Sequence, residues 1–391
     1  MRKIFYALAL TLFSFPFLFA AGFPPLETIH YQDLTAPRAQ AAQPPLPDTP
    51  VYTPAPVFSR YDYTGLPLYM FTETTRVSAV LVDAINRTNS TLDVALYNLQ
   101  ITDAAQALVK ARDRGVRVRV MMDYDHVFPD AGREIKYLIT SGLDVKVMKG
   151  RGGSGSMHNK YAIFDGAALE TGSANWSLSA ESSSYENMMF VYDPAVIRGY
   201  GENFEWMWSQ GRSPVVAASP VPKAGPLPAD PEPSVNFNGT LLPKYIFSPR
   251  GGTEAAIAKA IDSALSSVDV AMFTLTSKPI MNAVFRAVSR GLTVRLTLYA
   301  GSKFPFYQEA VGRKMAVKFL EGRVEKGLMH NKFAVLDGRL LINGSFNWSD
   351  TAERLNTENT IFTVAPEYVG PYLLEYEKLF GMARPAGSPR P

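Results

Sequence analysis

Apolar and polar positions follow a rhythm that switches between helical spacing and short β-rich runs. Helical spacing covers residues 74–87, a β-rich apolar run covers residues 92–97, and a second helical pattern at residues 104–114 ends at Gly115, a typical helix-stop residue. Strands alternating with helices predict a layered α/β domain with a mixed, largely parallel sheet. The further predicted elements are strands at residues 116–122, 145–148, 160–164 and 188–192 and a helix at residues 194–209.

This rhythm occurs twice. LPLYMF at Leu66 corresponds to LPKYIF at Leu242, and LDVALYNL at Leu92 corresponds to VDVAMFTL at Val268, an offset of 176 positions in both cases. The offset falls to 172 further along the chain, and such a period is far longer than that of a solenoid repeat. We therefore predict two fused copies of one α-β-α layered domain, related by a pseudo-twofold axis.

Proline-rich stretches flank and separate the two copies. Residues 23–57 and 213–240 are predicted to be linkers, and residues 384–391 a loose tail. The two domains are accordingly placed at residues 58–212 and 241–383.

The chain begins MRKIFYALALTLFSFPFLFAAG. Two basic residues precede an apolar run that ends at small residues near Ala20, which is the layout of a secretory signal peptide. Residues 1–22 are therefore predicted to be removed, and the mature protein to be exported to a periplasm or secreted. The alternative is an uncleaved membrane anchor, but the run is short for a full span and contains Pro16.

The composition is that of a globular chain, with 47% hydrophobic and 19% charged residues. The formal charge of +3 includes Arg2 and Lys3 of the leader, so the mature protein is near neutral, which argues against a bulk polyanion binder. The chain has no cysteine, which excludes disulfides, cysteine nucleophiles and cysteine metal sites.

The segment DYDHVFPD at residues 123–130 looks like a metal loop, but its counterpart YAGSKFPF lacks a carboxylate, so no metal is predicted.

One polar motif occurs in both copies: His-x-Lys, four residues, Asp, six residues, and Gly-Ser-x-Asn-Trp. Histidine and lysine two positions apart on a strand point to the same face, and a returning strand brings the serine and asparagine alongside them. Eleven residues after the asparagine, each copy has a glutamate. The residues are His158, Lys160, Asp165, Ser173, Asn175, Trp176 and Glu186 in the first copy, and His330, Lys332, Asp337, Ser345, Asn347, Trp348 and Glu358 in the second.

Two such sets facing each other suit displacement at a phosphodiester. A neutral imidazole attacks phosphorus, and a protonated imidazole donates to the leaving oxygen. A buried carboxylate, for which Glu186 and Glu358 are the candidates, would fix the imidazole tautomer. The tryptophans are expected in the core. Charge on the phosphoryl oxygens would be stabilised by Lys160, Lys332, Ser173, Asn175, Ser345 and Asn347.

These motifs resemble those of the phospholipase D superfamily, whose His-x-Lys-x4-Asp and Gly-Ser-x-Asn signatures both copies match over residues 66–380. The resemblance implies a metal-independent phosphodiesterase that needs no cofactor, acts through a covalent phosphohistidine and has one active site shared by the two halves. It also implies that His158 is the nucleophile and His330 the general acid and later the base. Asp165 and Asp337 are implied to orient a loop without touching phosphate.

The substrate is left open between phospholipid and nucleic acid. A phospholipase would use the aromatic loops for peripheral membrane contact, although the same aromatics could simply pack on the domain. A nuclease would use a basic strip in the second half, which could also be an ordinary charged face. A cardiolipin synthase-like transferase is a further alternative, and intact motifs in both copies argue against a silent binding protein. One chain already supplies both histidines, so activity as a monomer is expected. The loop aromatics are Phe128, Phe304, Phe306 and Tyr307, and the basic strip is Lys303, Arg313, Lys314, Lys318, Arg323 and Lys326.

Overall fold

The computed structural model describes residues 62–215 and 234–386. The predicted signal peptide at residues 1–22, the predicted linker at residues 23–57 and most of the predicted linker at residues 213–240 lie outside the described residues. None of the helices in the described ranges combines the length and the hydropathy needed to span a bilayer.

The first half alternates strands and helices as the hydrophobic pattern predicts. Its elements are β1 Tyr69–Phe71, α1 Val77–Arg87, β2 Thr91–Leu96, α2 Thr102–Asp113, β3 Arg117–Asp123, α3 Arg133–Thr140, β4 Asp144–Met148, β5 Lys160–Phe164, β6 Ala168–Gly172, α4 Leu178–Ser182, β7 Asn187–Val191 and α5 Pro194–Gln210.

The second half opens with a small hairpin and then follows the same order. Its elements are β8 Val235–Phe237, β9 Thr240–Leu242, β10 Tyr245–Ser248, α6 Thr253–Ser263, β11 Ser267–Met272, α7 Lys278–Ser289, β12 Thr293–Tyr299, α8 Tyr307–Gly312, β13 Ala316–Leu320, β14 Lys332–Leu336, β15 Leu340–Gly344, α9 Asp350–Arg354, β16 Glu358–Thr363 and α10 Pro366–Met382.

Each half is built on a seven-stranded mixed sheet, in the orders β1-β7-β6-β5-β2-β3-β4 and β10-β16-β15-β14-β11-β12-β13. The α/β class and the duplication are confirmed. The expectation of a largely parallel sheet is wrong for the strand pairing, because only β2–β3–β4 and β11–β12–β13 pair in parallel. The reason lies in the motif segment: three residues join β5 to β6, and a connection that short links only antiparallel neighbours.

Three apolar clusters hold the layers together. One packs α1, α2 and α3 on the outer face of the first sheet, and a second packs α6 and α7 on the second sheet. The third cluster joins the inner faces of both sheets to α5 and α10, with Tyr200, Phe204, Tyr372 and Tyr376 among its buried members. The two halves therefore share a core, and the strand ends that carry the polar motifs are fixed relative to each other.

The predicted linker at residues 213–240 extends too far, because its end belongs to the β8–β9 hairpin. Val235 pairs with Leu242 and Phe237 with Thr240, and both Val235 and Phe237 are buried. Asn238 and Gly239 turn the chain with φ angles of 49° and 81°, the left-handed conformation that an Asn-Gly hairpin turn requires. The predicted tail likewise begins one residue early, since the backbone of Arg384 hydrogen-bonds with Phe319.

Candidate active site

His158 and His330 lie just before β5 and β14, where the two halves meet. The backbone N–H of His158 donates to the Thr357 carbonyl at 3.0 Å, and that of His330 donates to the Tyr185 carbonyl at 2.9 Å. Both acceptors immediately precede a glutamate of the motif. Each histidine segment is therefore attached to the segment that carries the glutamate of the other half.

This attachment produces two crossed histidine–glutamate pairs. Nδ1 of His158 lies 2.8 Å from Oε2 of Glu358, and Nδ1 of His330 lies 2.7 Å from Oε1 of Glu186. Both carboxylates are buried, and each histidine side chain keeps about a tenth of its surface exposed. The sequence pointed to both glutamates. It did not show that each histidine pairs with the glutamate of the other half, because that pairing depends on how the two halves dock. With Nδ1 occupied, Nε2 is the atom of each imidazole that is left to react.

Lys160 and Lys332 lie directly behind the histidines. Each Nζ donates to the carbonyl of the histidine two residues earlier at 2.7 Å, and each lies 5.1 Å from an aromatic ring, that of Tyr97 or Phe273. Burial lowers the pKa of Lys160 to about 8 and that of Lys332 to about 7. A bound phosphodiester anion would favour the charged form of both side chains.

Burial also affects the histidine–glutamate pairs. It lowers the pKa of His158, against the opposing charge of Glu358, and it lowers the pKa of His330 further, with a contribution from Lys332. Burial raises the pKa of Glu186 to about 7, although Lys332 opposes the shift. Burial therefore shifts the pKa of both histidines and of Glu186 towards the uncharged form, most strongly for His330.

The predicted phosphate contact of Ser173 and Ser345 is wrong. The hydroxyl of Ser173 donates to Glu186 at 2.7 Å and that of Ser345 donates to Glu358 at 2.6 Å, and both serines are fully buried. Each serine oxygen also accepts a backbone N–H at 3.0 Å, from Asn187 in the first half. These hydroxyls orient the carboxylates and have no proton left for a substrate oxygen.

Asn175 and Asn347 remain compatible with a phosphate contact. Both are half-buried at equivalent positions beyond the serines, and the Oδ1 atom of each is buried without a hydrogen-bond partner in the described part of the chain. A buried polar group left unpaired in this way is unusual in folded proteins. The unpaired oxygen can only accept a hydrogen bond, so a phosphoryl oxygen would be bound by the amide N–H groups. Their predicted role in binding phosphoryl oxygens stays a prediction.

Asp165 and Asp337 hold a loop away from the histidines, the role that the resemblance implied. Asp165 accepts the backbone N–H groups of residues 89, 90 and 91 at 2.7–3.0 Å and the hydroxyl of Tyr63 at 2.7 Å. Asp337 accepts those of residues 265, 266 and 267 at 2.7–2.9 Å and the amide of Asn238. Asp165 thereby fixes the entry to β2, and Asp337 the entry to β11.

The sequence reasoning missed the aromatic rings beside the histidines. Tyr97 packs edge-on against His158 at 4.7 Å between centroids, and Phe273 packs in the same way against His330 at 4.5 Å. The two residues occupy the same position in the β-rich segments that the repeat alignment matches. The sequence therefore showed that they are equivalent, but not that each contacts a histidine. His126 was also missed, and its ring lies 4.2 Å from that of Tyr97.

The other highlighted side chains mostly serve the fold. Trp176 and Trp348 are buried in the cores, as predicted. The loop aromatics Phe128, Phe304, Phe306 and Tyr307 are half-buried against those cores, which is the packing alternative, and their contact with a membrane stays a prediction. Three cations of the basic strip are engaged: Arg313 pairs with Glu309, Lys318 donates to the Phe380 carbonyl, and Arg323 donates to the Thr72 carbonyl.

Within residues 62–215 and 234–386, no group of three or more His, Asp or Glu side chains could hold a metal ion.

The fold and the site together define a duplicated α/β protein with a two-histidine, two-lysine centre of the phospholipase D type. The family model described as "Cardiolipin synthase, PLD-like domain" matches residues 81–208 and 257–380, one match in each half. The chain therefore belongs to this family, and the resemblance seen in the sequence is confirmed.

Several known proteins resemble parts of the chain. The mitochondrial cardiolipin hydrolase of Xenopus tropicalis is 32% identical over 124 residues, which cover 32% of this chain and 57% of that protein. A phospholipase D of Rickettsia conorii is 31% identical over 132 residues, covering 32% of this chain and 64% of that protein. The chain thus spans little more than half the length of these curated relatives. The phosphatidylserine synthase of Haemophilus influenzae shares the fold, with a TM-score of 0.63 at 10% identity over 81% of this chain and 87% of that chain.

Proposed function

We propose that the chain is an exported phosphodiesterase that hydrolyses the head-group phosphodiester bond of phospholipids through a phosphohistidine. The crossed pairs His158–Glu358 and His330–Glu186 carry this proposal, since each half supplies one imidazole with its Nδ1 held and its Nε2 left to react. Relatives named as cardiolipin hydrolases and as a phospholipase D support the substrate class.

The reaction takes two displacements at phosphorus. In the first, Nε2 of one histidine forms a bond to phosphorus while the bond to the head-group oxygen breaks, and the second histidine gives its Nε2 proton to that oxygen. In the second, that same histidine takes a proton from water, the water oxygen bonds to phosphorus, and the N–P bond breaks. The glutamates stabilise each imidazolium as it forms, and the lysines stabilise the phosphoryl charge.

The test of the chemistry uses bis(p-nitrophenyl) phosphate in EDTA with the purified mature protein. Release of p-nitrophenol is expected from the wild type and is expected to be lost in His158→Ala. The variant Glu202→Gln, at an exposed position of α5, is the matched control. No turnover by a folded wild type would overturn the enzyme proposal.

The same substrate tests the roles of the two histidines. If His158 attacks, as the resemblance implies, His330→Ala should still release one p-nitrophenolate per site, because this leaving group needs no proton. The modified histidine should then accumulate, visible by mass spectrometry after rapid quenching. A burst from His158→Ala in place of His330→Ala would reverse the assignment.

The substrate class is tested with lipid vesicles against DNA. Release of choline or glycerol from phosphatidylcholine or phosphatidylglycerol vesicles is the expected result. Nicking of single- or double-stranded DNA without lipid turnover would replace the phospholipase by the nuclease. Head-group exchange with an added alcohol in preference to water would replace it by a phosphatidyl transferase.

Export and activity as a monomer are part of the proposal. The leader at residues 1–22 supports export, and the complete pair of histidine centres within one chain supports a monomer. Expression of the full gene in a bacterial host should give a processed N-terminus near Ala20 outside the cytoplasm. Light scattering during turnover should give the mass of one chain, and a mass of two chains would refute the monomer.

A further inference from the structure

The helices that close the two halves, α5 and α10, each place one tyrosine hydroxyl against the other half. Tyr372 of α10 donates to Oδ1 of Asn187 at 3.0 Å, and Tyr200 of α5 accepts from Nδ2 of Asn359 at 3.0 Å. Both tyrosines are fully buried and lie 172 positions apart, which is the offset of the repeat in this part of the chain. The same contact between the halves therefore occurs twice.

Both asparagines directly follow a glutamate of the candidate active site. The backbone N–H of Asn187 donates to the Ser173 hydroxyl at 3.0 Å, and that hydroxyl donates to Glu186 at 2.7 Å. The side-chain amide of Asn187 also donates to Oδ1 of Asn331, the residue after His330, at 2.7 Å. Asn187 is thus bonded to two side chains of the second half, and a displacement of Asn187 would move the serine and the carboxylate with it.

The equivalent series of contacts in the other direction begins at Tyr200. The Asn359 amide donates to Tyr200 and, at 2.8 Å, to Thr171, and the Tyr200 hydroxyl also hydrogen-bonds with Thr171. The backbone N–H of Asn359 donates to the Ser345 hydroxyl at 3.0 Å, and that hydroxyl donates to Glu358 at 2.6 Å. Each tyrosine is therefore connected to the histidine of its own half through the glutamate of the other half.

The repeat separates these two hydroxyls from that of another buried tyrosine in the same core. Tyr161 of β5 is equally buried and donates to Oδ1 of Asn203 at 3.0 Å, but its counterpart in the second half is Phe333. The fold thus accommodates the absence of a buried hydroxyl at this position. Tyr200 and Tyr372 keep the hydroxyl in both copies, which points to a role beyond filling the core.

We propose that Tyr200 and Tyr372 are positioning residues for the reaction: each hydroxyl holds the asparagine beside a glutamate of the active site and so keeps that carboxylate aligned with Nδ1 of its histidine. This inference rests on the proposed function, since it gives both tyrosines a role in that reaction. Loss of the Tyr372 hydroxyl would leave the Asn187 oxygen without its donor inside the core. An asparagine that is free to turn no longer fixes the serine and the carboxylate that follow from it.

Proton NMR tests this alignment without turnover. A histidine Nδ1 proton held against a carboxylate gives a signal far downfield, and the variants His158→Ala and His330→Ala assign one such signal to each pair. Tyr372→Phe is expected to move the His330 signal upfield and to speed its exchange with water, while the His158 signal stays in place. Tyr200→Phe is expected to do the reverse. Unchanged signals in both folded variants, or equal changes of both signals in each variant, would overturn the positioning role.

Kinetics with bis(p-nitrophenyl) phosphate separate the two displacements. Each variant should slow about tenfold only the step that uses the histidine of its own half, the effect of losing one hydrogen bond of about 1.4 kcal/mol. With His158 attacking, Tyr200→Phe should slow the burst of p-nitrophenol, whereas Tyr372→Phe should keep the burst and slow the steady state. With the roles of the histidines reversed, the two results exchange. Equal slowing of both steps in both variants would indicate a general loosening and overturn the proposal.

Tyr161→Phe is the matched control, because it removes a buried hydroxyl from the same core and copies the second half. It should keep both NMR signals and both rates. Asn187→Ser guards against misfolding of Tyr372→Phe, since it removes the same contact from the other side, and an unchanged His330 signal in folded Asn187→Ser would overturn the role of Tyr372. A folded wild type without turnover would overturn the proposed phosphodiesterase, whereas the NMR signals would still decide the positioning of the histidines.

Discussion

Replacing Glu170 should remove a large contribution to the pH dependence of stability, one that its counterpart position in the second half cannot make. Glu170 lies on β6 between Ala162 and Phe190, is 1% exposed and has Ile342 as its counterpart in the second half. Its Oε2 accepts the Trp176 indole N–H at 3.3 Å. Burial raises the pKa of Glu170 to about 8, and the indole hydrogen bond opposes this only in part.

The direction and size of this pH dependence follow from the difference between the pKa of Glu170 in the folded and in the unfolded chain. The folded state holds the Glu170 proton up to about pH 8, while the unfolded chain releases it near pH 4.5. Stability from this group is therefore complete below pH 4.5 and is lost as the pH rises to about 8. Each pH unit costs about 1.4 kcal/mol, so the free energy of unfolding should fall by about 4 kcal/mol between pH 5 and pH 8 on this account alone.

Urea unfolding followed by tryptophan fluorescence across pH 5 to 9 measures this loss. Glu170→Gln should be more stable than the wild type at pH 8 and close to it at pH 5, and Glu170→Ile, which copies the second half, should also have the flatter curve. Glu202→Gln, at an exposed position of α5, should follow the wild type. Parallel curves for the wild type and Glu170→Gln would refute the reasoning.

Three further predictions concern the centre and its support. Glu186→Gln and Glu358→Gln should each lower kcat by on the order of 100-fold or more on bis(p-nitrophenyl) phosphate, since each carboxylate orients an imidazole of the other half; wild-type rates in either would contradict the crossing. Activity should fall as the pH rises through about 7 to 8, because Lys332 and Lys160 lose their protons there, and a pH–rate profile flat to pH 10 would contradict this. Asp337→Asn should destabilise the second half by about 2 kcal/mol in urea, since three loop N–H groups lose a charged acceptor, and an unchanged midpoint would contradict its structural role.

The sequence predicts the parts of the fold that depend on local pattern. Helix α5 begins at Pro194 and strand β5 covers residues 160–164, both as the spacing indicated, and Gly115 and Gly291 end their helices with φ angles of 95° and 85°. The Asn238-Gly239 turn was readable in principle, but the proline-rich composition before it concealed the hairpin. Strand order was not readable, because β2 lies beside β5 through contacts distant in sequence.

The candidate site likewise has a part that local pattern predicts and a part that depends on contacts between the two halves. Repetition singles out His158 and His330 as the candidate reacting groups, since chance hardly produces the same motif twice. The partner of each histidine depends on the docking of the halves, which the shared core of α5 and α10 fixes, so the crossing cannot be derived from spacing. The serines were misassigned for a related reason: spacing brings Ser173 to the site but does not show that its hydroxyl donates a hydrogen bond to Glu186.

Fusion of the two copies gives this protein a freedom that a symmetric pair of identical chains lacks. In such a pair, any substitution beside one histidine recurs beside the other, so the same side chains lie on both sides of the phosphate. In one chain, Tyr97 and Phe273 can differ while His158 and His330 keep identical partners. A phospholipid is itself unsymmetric, with a polar alcohol on one side of phosphorus and an apolar ester group on the other. A difference such as that between Tyr97 and Phe273, beside histidines with matched partners, is therefore what selection for a single binding orientation would leave behind.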